Sequence, residues 1–145
     1  MPIENVNPIL EEVDLETEEI ATRVVEAAFR VHRTLGPGLL ENAYETCLAY
    51  EMVKLGLKVE RQVEIPLRYG EVSLNAGFRL DLLAEDRIII EVKSVESLLP
   101  IHKAQILTYL KLTKNKLGFL INFNVGLLKR GLQRVVLSRP VKLNS

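Results

Sequence analysis

The hydrophobic residues of the first third of the chain recur at helical spacing. Between Thr17 and Leu35, apolar side chains fall every three or four residues, which predicts an amphipathic helix. Gly36-Pro37-Gly38 should end this helix, because proline cannot continue it and glycine permits a sharp turn. A second helix is predicted from about Leu39 to Leu55, with Gly56 as its stop, so the two helices should form a hairpin. The residues expected to face inward on the second helix are Leu40, Tyr44, Cys47, Leu48 and Leu55.

The spacing then changes from helical to alternating. Residues 59–67 alternate between polar and apolar side chains, as is typical of a strand with one solvated face. Residues 117–123 are almost entirely apolar, which indicates a strand buried on both sides. After a turn at Gly70-Glu71, residues 72–74 and 78–83 are predicted to be extended and are counted as one strand. The remaining predicted elements are strands at 88–93 and 132–137 and a helix at 101–113 that begins after Pro100. The order α-α-β-β-β-α-β-β predicts an α/β fold with helices packed on a central sheet.

Length and composition exclude several classes of protein. A chain of 145 residues, 48% hydrophobic and 26% charged, suits one folded domain and excludes disorder as its main state. No apolar run approaches the roughly 18 residues of a membrane span, and the acidic start does not resemble a signal peptide. Cys47 is the only cysteine, so a disulfide and a cysteine zinc site are excluded and a cytoplasmic location is expected. Residues 1–14 are expected to be a loosely ordered tail and 15–145 a single domain.

The charges are unevenly distributed, although the net charge is zero. Residues 1–28 carry eight acidic side chains and one basic one. No acid follows Glu96, whereas nine lysines and arginines do. A chain polarised in this way can attract a polyanion with its basic half. Alternatively, the two halves neutralise each other within the fold, and charge alone does not decide between these interpretations.

A hairpin around Asp86 is predicted to bring two acids and a lysine together. If the turn is centred on Asp86, residues equidistant from it lie opposite each other, which pairs Asp81 with Glu91. Side chains alternate between the two faces of a strand, so Glu91 and Lys93 share a face. A slip of one residue would turn Asp81 away from Glu91. The apolar side chains expected together on the opposite face are Leu80, Leu82, Ile88, Ile90 and Val92.

This trio of charged residues has a chemical and a structural interpretation. Buried charges are costly unless they pair or bind a metal, and a divalent cation such as Mg²⁺ relieves repulsion between carboxylates. Such a metal can acidify a water and neutralise charge on a phosphate, while Lys93 positions the water or stabilises negative charge. Asp81, Glu91 and Lys93 therefore suit phosphodiester hydrolysis. The alternative is an interstrand salt bridge, and Glu-x-Lys is weak evidence because about one is expected by chance at this composition.

Residues on the second and third helices also have two interpretations. Glu41 in a first helical turn is favoured by the helix dipole, but it could also reach over the sheet as a third metal ligand. His102, Gln105 and Tyr109 share one helix face. Either this face is solvated, or the amide of Gln105 and the phenol of Tyr109 hydrogen-bond a phosphate or a base, or orient Lys93.

The remaining polar candidates are weaker. His32 and Tyr44 are expected to be structural rather than chemical, since a lone histidine near a helix end is usually a hydrogen-bonded structural group. Lysines 111, 114 and 116 complement the dipole of the third helix and equally suit phosphate contacts.

Several short motifs occur in order along most of the chain. The first is Gly38-Leu39-Leu40-Glu41-Asn42-Ala43-Tyr44. The others are His32, Gly36-Pro37-Gly38, Asp81, Glu91-Val92-Lys93, Gln105, Tyr109 and Leu120-Ile121-Asn122-Phe123. Together they resemble the GxxExxY protein family over roughly residues 19–137. That family is placed in the PD-(D/E)XK nuclease-like superfamily, so the resemblance implies a mixed central β-sheet flanked by helices, a restriction-endonuclease-like core with an N-terminal helical hairpin.

The resemblance also implies roles for individual residues. Leu80 precedes Asp81 where the superfamily pattern has proline, a frequent variation. Gln105 and Tyr109 resemble the Gln-x-x-x-Tyr of the exonuclease branch. The implied catalytic residues are Glu41, Asp81, Glu91, Lys93, Gln105 and Tyr109, of which Glu41, Asp81 and Glu91 would bind the metal.

The function expected from residues and resemblance together is metal-dependent hydrolysis of DNA phosphodiester bonds with Mg²⁺ or Mn²⁺. The expected partner is nucleic acid, with no membrane partner, and a homodimer is a further expectation. The alternative is a catalytically inactive module that kept the nuclease-like fold and binds nucleic acid or protein. Family resemblance does not decide between them.

Overall fold

Three α-helices and five strands are arranged along residues 13–137, the part of the chain that the computed structural model describes, the side chains of Asn75 and Ala76 excepted. The predicted order of elements is confirmed, and residues 72–74 and 78–83 lie in one continuous strand. Of the expected tail, residues 1–12 lie outside the described residues. The elements are α1 (Leu15–Leu35), α2 (Glu41–Lys54), β1 (Val59–Tyr69), β2 (Val72–Ala84), β3 (Ile88–Lys93), α3 (Pro100–Thr113), β4 (Leu117–Asn122), a 3₁₀ helix (Leu128–Arg130) and β5 (Leu132–Val136).

The strands form one mixed sheet in the order β1-β2-β3-β4-β5. β3 and β4 are parallel and α3 connects them, whereas the other neighbours are antiparallel. Leu82 pairs with Ile90 and Ala84 with Ile88, so the hairpin has the register expected for a turn centred on Asp86. The α/β architecture with a mixed sheet flanked by helices is therefore confirmed.

Each face of the sheet has its own hydrophobic core. α1 and α2 cover one face, where Leu82 and Ile90 are fully buried, and α3 covers the other with Ile106 and Leu110. Leu80 was expected beside Leu82, but it packs under α3 with Ile89. The prediction was wrong because the alternation of side chains between the two faces of β2 is interrupted at Asp81, between Leu80 and Leu82.

The turn between α1 and α2 is held by one buried tyrosine. Gly36 and Gly38 have φ angles of 64° and 102°, a region that suits glycine. The Tyr44 hydroxyl donates to the Gly36 carbonyl at 2.5 Å and accepts from the Leu39 amide at 3.1 Å. Its ring stacks on Phe123, with the ring centroids 4.6 Å apart. The structural role expected for Tyr44 is confirmed, and this contact joins the helical hairpin to the end of β4.

The start of α2 differs from the prediction. The helix begins at Glu41, and Leu40 is its N-cap in extended conformation. Leu40 is 82% exposed rather than inward-facing, because it precedes the helical periodicity on which that expectation rested.

Ion pairs join the acidic start of the chain to its basic residues. Arg87 contacts Glu16 at 2.9 Å, and Arg134 of β5 binds Glu18 through both guanidinium nitrogens. The two halves therefore neutralise each other where α1 begins. No helix in residues 13–137 is both long and apolar enough to cross a bilayer.

Replacing Tyr44 by Phe tests the role of the hydroxyl. We expect a loss of about 1–2 kcal/mol in the free energy of unfolding, because the Leu39 amide and the Gly36 carbonyl lose a partner while the ring remains. Urea denaturation measures this. The matched control, Tyr50→Phe, removes a hydroxyl from a side chain that is 63% exposed and should cost less than about 0.5 kcal/mol. Equal costs for the two variants would contradict the proposed role.

Candidate functional site

Two carboxylates occupy the place where the β2–β3 ladder ends. Backbone pairing of these strands stops at Leu82 and Ile90 within the described chain. Beyond that pair, the Asp81 amide donates to Oε2 of Glu91 at 2.9 Å, and the Val92 amide donates to Oδ2 of Asp81 at 2.8 Å. Each carboxylate thus replaces a backbone carbonyl of the opposite strand. The expected opposition of Asp81 and Glu91 is confirmed in this form.

A distortion in β1 lies opposite Asp81. Gln62 has a φ of 51° and sits between the pairs Arg61–Leu82 and Val63–Leu80. Few residues other than glycine adopt such a φ without support. The regular pairing of β1 with β2 is interrupted here, which accounts for the change of face between Leu80 and Leu82.

The support for Gln62 comes from Glu45, a residue that sequence reasoning missed. Its carboxylate is 6% exposed, accepts the Gln62 side-chain amide at 2.8 Å through Oε1, and accepts the Arg61 guanidinium at 3.2 Å through Oε2. Glu45 follows Glu41 by four residues, so helical spacing alone places it on the same side of α2. That spacing was the available signal.

Burial and mutual repulsion disfavour two negative charges at the centre. Burial, followed by the charge of Asp81, raises the pKa of Glu91 to about 8. Burial also raises the pKa of Asp81, to which the charge of Glu45 adds, while its hydrogen bond from Val92 opposes the shift. Near neutral pH the pair therefore retains a proton.

Lys93 lies at the end of β3, one residue pair beyond the carboxylates. Its charge lowers the pKa of both Asp81 and Glu91, though less than burial raises them. It forms no ion pair within residues 13–137, since no carboxylate there comes within 4.0 Å of its ammonium. The interstrand salt bridge considered from the sequence is thus not formed, and the Lys93 ammonium is free to meet another anion.

Glu41 lies near this pair without joining it. Its Oε2 accepts the Ser94 amide at 3.4 Å, so the start of α2 reaches the residue after Lys93. The charge of Glu41 also raises the pKa of Asp81, though less than burial and the charge of Glu45 do. The side chain is exposed, and the described residues contain no group of three Asp, Glu, His or Cys side chains arranged to hold a metal.

Of the two α3 residues, only Tyr109 contacts the protein interior. It is 9% exposed, its ring meets Phe78 edge-on at 5.6 Å, and its pKa is raised by burial and then by the charges of Glu91 and Asp81. Gln105, one turn earlier, is exposed, and its side chain has no hydrogen bond to other described residues. Tyr109 is thus in the electrostatic neighbourhood of the carboxylates, and Gln105 remains open to solvent.

Two polar side chains, one at the end of β4 and one in the last turn of α1, form hydrogen bonds to the surrounding loops. The Asn122 side chain accepts the Val95 amide at 3.0 Å and donates to the Val95 carbonyl at 2.9 Å, which fixes the chain after Lys93. His32 Nε2 lies 2.7 Å from the Val125 carbonyl, so the structural role expected for His32 is confirmed.

The donor set suits a hard divalent cation. Oδ1 of Asp81 and Oε1 of Glu91 receive no hydrogen bond from residues 13–137. Unengaged carboxylate oxygens are the ligands that Mg²⁺ and Mn²⁺ prefer, and a cation would relieve the repulsion that raises both pKa values. Asp81 and Glu91 therefore fit such an ion.

The raised pKa of Glu91 makes stability of the metal-free protein depend on pH. Because about 8 lies above the ordinary value of 4.5, the folded state binds this proton more tightly than the unfolded chain does. The stabilisation is complete below pH 4.5 and disappears as the pH rises through about 8. We expect Glu91→Gln in EDTA to remove this decline and to be more stable than the parent at pH 9 by on the order of 1–3 kcal/mol.

Urea denaturation at pH 5, 7 and 9 measures this dependence. Glu71→Gln removes one carboxylate from an exposed turn and is the matched control, expected to follow the parent at every pH. A parent protein whose stability does not fall between pH 5 and 9, or a control as effective as Glu91→Gln, would contradict the shifted pKa.

Comparison with protein families matches residues 18–135 to the PD-(D/E)XK nuclease superfamily. Comparison with curated proteins found no significant match, and comparison with solved structures found none either. The matched segment contains Glu41, the Asp81–Glu91 pair and Lys93 and makes up most of the chain. The narrower resemblance to the GxxExxY family stays a prediction. This chain belongs to the PD-(D/E)XK nuclease superfamily.

Proposed function

We propose that the protein hydrolyses DNA phosphodiester bonds in a reaction that depends on Mg²⁺ or Mn²⁺. The observation that carries the proposal is the reciprocal anchoring of Asp81 and Glu91, which leaves one oxygen of each unengaged beside the unpaired ammonium of Lys93. Membership in a nuclease superfamily supports a nucleic-acid substrate. The homodimer and the cytoplasmic location expected from the sequence stay predictions.

The carboxylates would hold the metal, and their anchoring defines its place. Asp81 and Glu91 would each supply their unengaged oxygen, and Glu41 is the third ligand that we propose from α2. When bound, the cation polarises the phosphate and lowers the pKa of a water. The hydrogen bonds that backbone amides donate to Asp81 and Glu91 restrict rotation of these side chains, so the carboxylates need little further ordering when substrate binds.

Lys93 would act on the attacking water and on the phosphate. Its ammonium can hold the water by a hydrogen bond and stabilise the negative charge that develops on the phosphate oxygens. Tyr109 is a hydroxyl donor on the α3 side, and its raised pKa keeps it protonated. Gln105, exposed one turn away, can donate its amide to a phosphate oxygen or to a base.

A second candidate is a binding module that retains the fold without turnover. The position of Glu41 favours it: its carboxylate meets the Ser94 amide, and no three-acid group is assembled among residues 13–137. Such a module would bind DNA or protein without regard to metal and would tolerate loss of Lys93. Cleavage assays separate the two candidates.

Asp81→Asn and Lys93→Ala should each lower the rate of DNA cleavage by at least about 100-fold, because each removes a group acting on the metal, the water or the phosphate. Plasmid and end-labelled linear DNA with Mg²⁺ or Mn²⁺ measure both nicking and end-directed degradation. Glu71→Gln and Lys111→Ala change one exposed charge each and should retain the rate within about twofold. Equal cleavage by Asp81→Asn and the parent would assign the activity to a contaminant.

Metal binding in the absence of DNA gives an independent prediction. Saturating Mg²⁺ or Mn²⁺ should raise the melting temperature of the parent by a few degrees, since a ligand that binds only the folded state stabilises it. The double variant Asp81→Asn/Glu91→Gln should show no shift, whereas Glu71→Gln should respond as the parent does. Shifts of the same size in all three proteins would place the metal elsewhere.

A further inference from the structure

Most arginines in the described chain are neutralised by an acid. Arg33, Arg68 and Arg130 are the exceptions: all three are exposed and form no ion pair with any residue between 13 and 137, and Arg68 belongs to β1. Lys129, next to Arg130, is likewise exposed and forms no ion pair there. The neutralised residues pair as Arg23–Glu19, Arg30–Glu26, Arg61–Glu45, Arg79–Glu64, Arg87–Glu16 and Arg134–Glu18.

The sequence explains why Arg33, Lys129 and Arg130 are unpaired. Arg23 and Arg30 each have a glutamate four residues earlier on α1, whereas Arg33 has Phe29 in that position. Lys129 and Arg130 belong to the 3₁₀ helix, and no acid follows Glu96, so neither has an acidic neighbour within a helical turn along the chain. The positive charge is therefore a property of this surface rather than of one rotamer.

These cations lie at the same end of the sheet as the candidate site. The Phe123 amide donates to the Lys93 carbonyl at 3.0 Å, and the Phe123 ring stacks on His32, which precedes Arg33. His32 also bonds to the Val125 carbonyl, in the loop that leads to Leu128–Arg130. Leu128 is buried in the core beneath α1 and α2, so the 3₁₀ helix lies on that face.

The lysines at the end of α3 lie at the opposite end. Leu117, where β4 begins, pairs with Ile88, the first residue of β3, whereas Lys93 is its last. Six strand residues span roughly 17 Å. Lys114 also shares a surface recess with Asp14, Arg87 and Lys116, and Glu16 forms an ion pair with Arg87. Asp14 and Glu16 offset part of the positive charge at that end. Beside the site, the exposed acids are Glu41, which we propose as a ligand, and Glu96, in the loop leading to α3.

We propose that Arg33, Lys129 and Arg130 form a phosphate-binding track that holds the DNA backbone alongside the scissile bond. The track continues from Lys93 past the end of α1 to the 3₁₀ helix, on the face covered by α1 and α2. It rests on the proposed function in placing the scissile phosphodiester at Asp81 and Glu91. The contacts are to phosphates, so the track binds without regard to base sequence.

Fluorescence anisotropy with a labelled DNA duplex in EDTA tests the track while cleavage is prevented. Two triple variants remove the same charge: Arg33→Gln/Lys129→Gln/Arg130→Gln in the track, and Lys54→Gln/Lys111→Gln/Lys114→Gln at the ends of α2 and α3. At about 0.15 M salt we expect the track variant to bind about tenfold more weakly and its slope of log K against log[salt] to be shallower by about 2–3. The control variant should stay within about twofold of the parent.

Equal weakening by both variants, a larger effect of the control, or no DNA binding by the parent would each overturn the track. If the track triple variant melts below the assay temperature, Arg33→Gln and Lys129→Gln are measured singly, and an unchanged salt slope in both overturns it. The cleavage assay decides the proposed function separately. If the track binds DNA but the protein shows no Mg²⁺-dependent cleavage, the track is supported and the nuclease proposal is overturned. If the track variant cleaves DNA as fast as the parent does, the nuclease proposal is supported and the track is overturned.

Discussion

The organisation of the site depends on two hydrogen bonds between strand backbones and carboxylates. The Asp81 carboxylate accepts a hydrogen bond from the Val92 amide, and the Glu91 carboxylate accepts one from the Asp81 amide. At this end of the hairpin, a side chain of each strand therefore bonds to the backbone of the other. Satisfying these amides offsets part of the cost of burying the acids. The remaining cost appears as raised pKa values, and it is the reason why a divalent cation or a retained proton suits this place.

The surroundings keep this arrangement in place from both sides of the sheet. On the α2 side, Glu45 accepts the side-chain amide of Gln62 opposite Asp81, and Arg61 neutralises Glu45. At the end of β4, Asn122 fixes the chain after Lys93, and Tyr44 joins the helical hairpin to Phe123. The candidate site therefore depends on contacts among all three helices and the four strands nearest to it, which is why short motifs from distant parts of the chain occur together.

Much of the fold follows from local patterns. Hydrophobic spacing predicts each helix and strand, and the turn at Asp86 sets Asp81 opposite Glu91 because register in a hairpin is determined by its turn. The change of face at Leu80 does not follow, since it depends on the positive φ of Gln62 and on Glu45, a contact between distant residues. The roles of Glu41 and Gln105 likewise stay predictions, because both are exposed and no internal contact selects their function.

The central claim is that Asp81 and Glu91 form a cation-binding pair, and a crystal grown with Mn²⁺ tests it most directly through anomalous scattering. The account predicts one Mn²⁺ about 2.2 Å from an oxygen of Asp81 and an oxygen of Glu91, with Glu41 turned toward it from α2. A crystal in which Mn²⁺ is absent from this pair at millimolar concentration, while both carboxylates keep their backbone partners, would contradict the account.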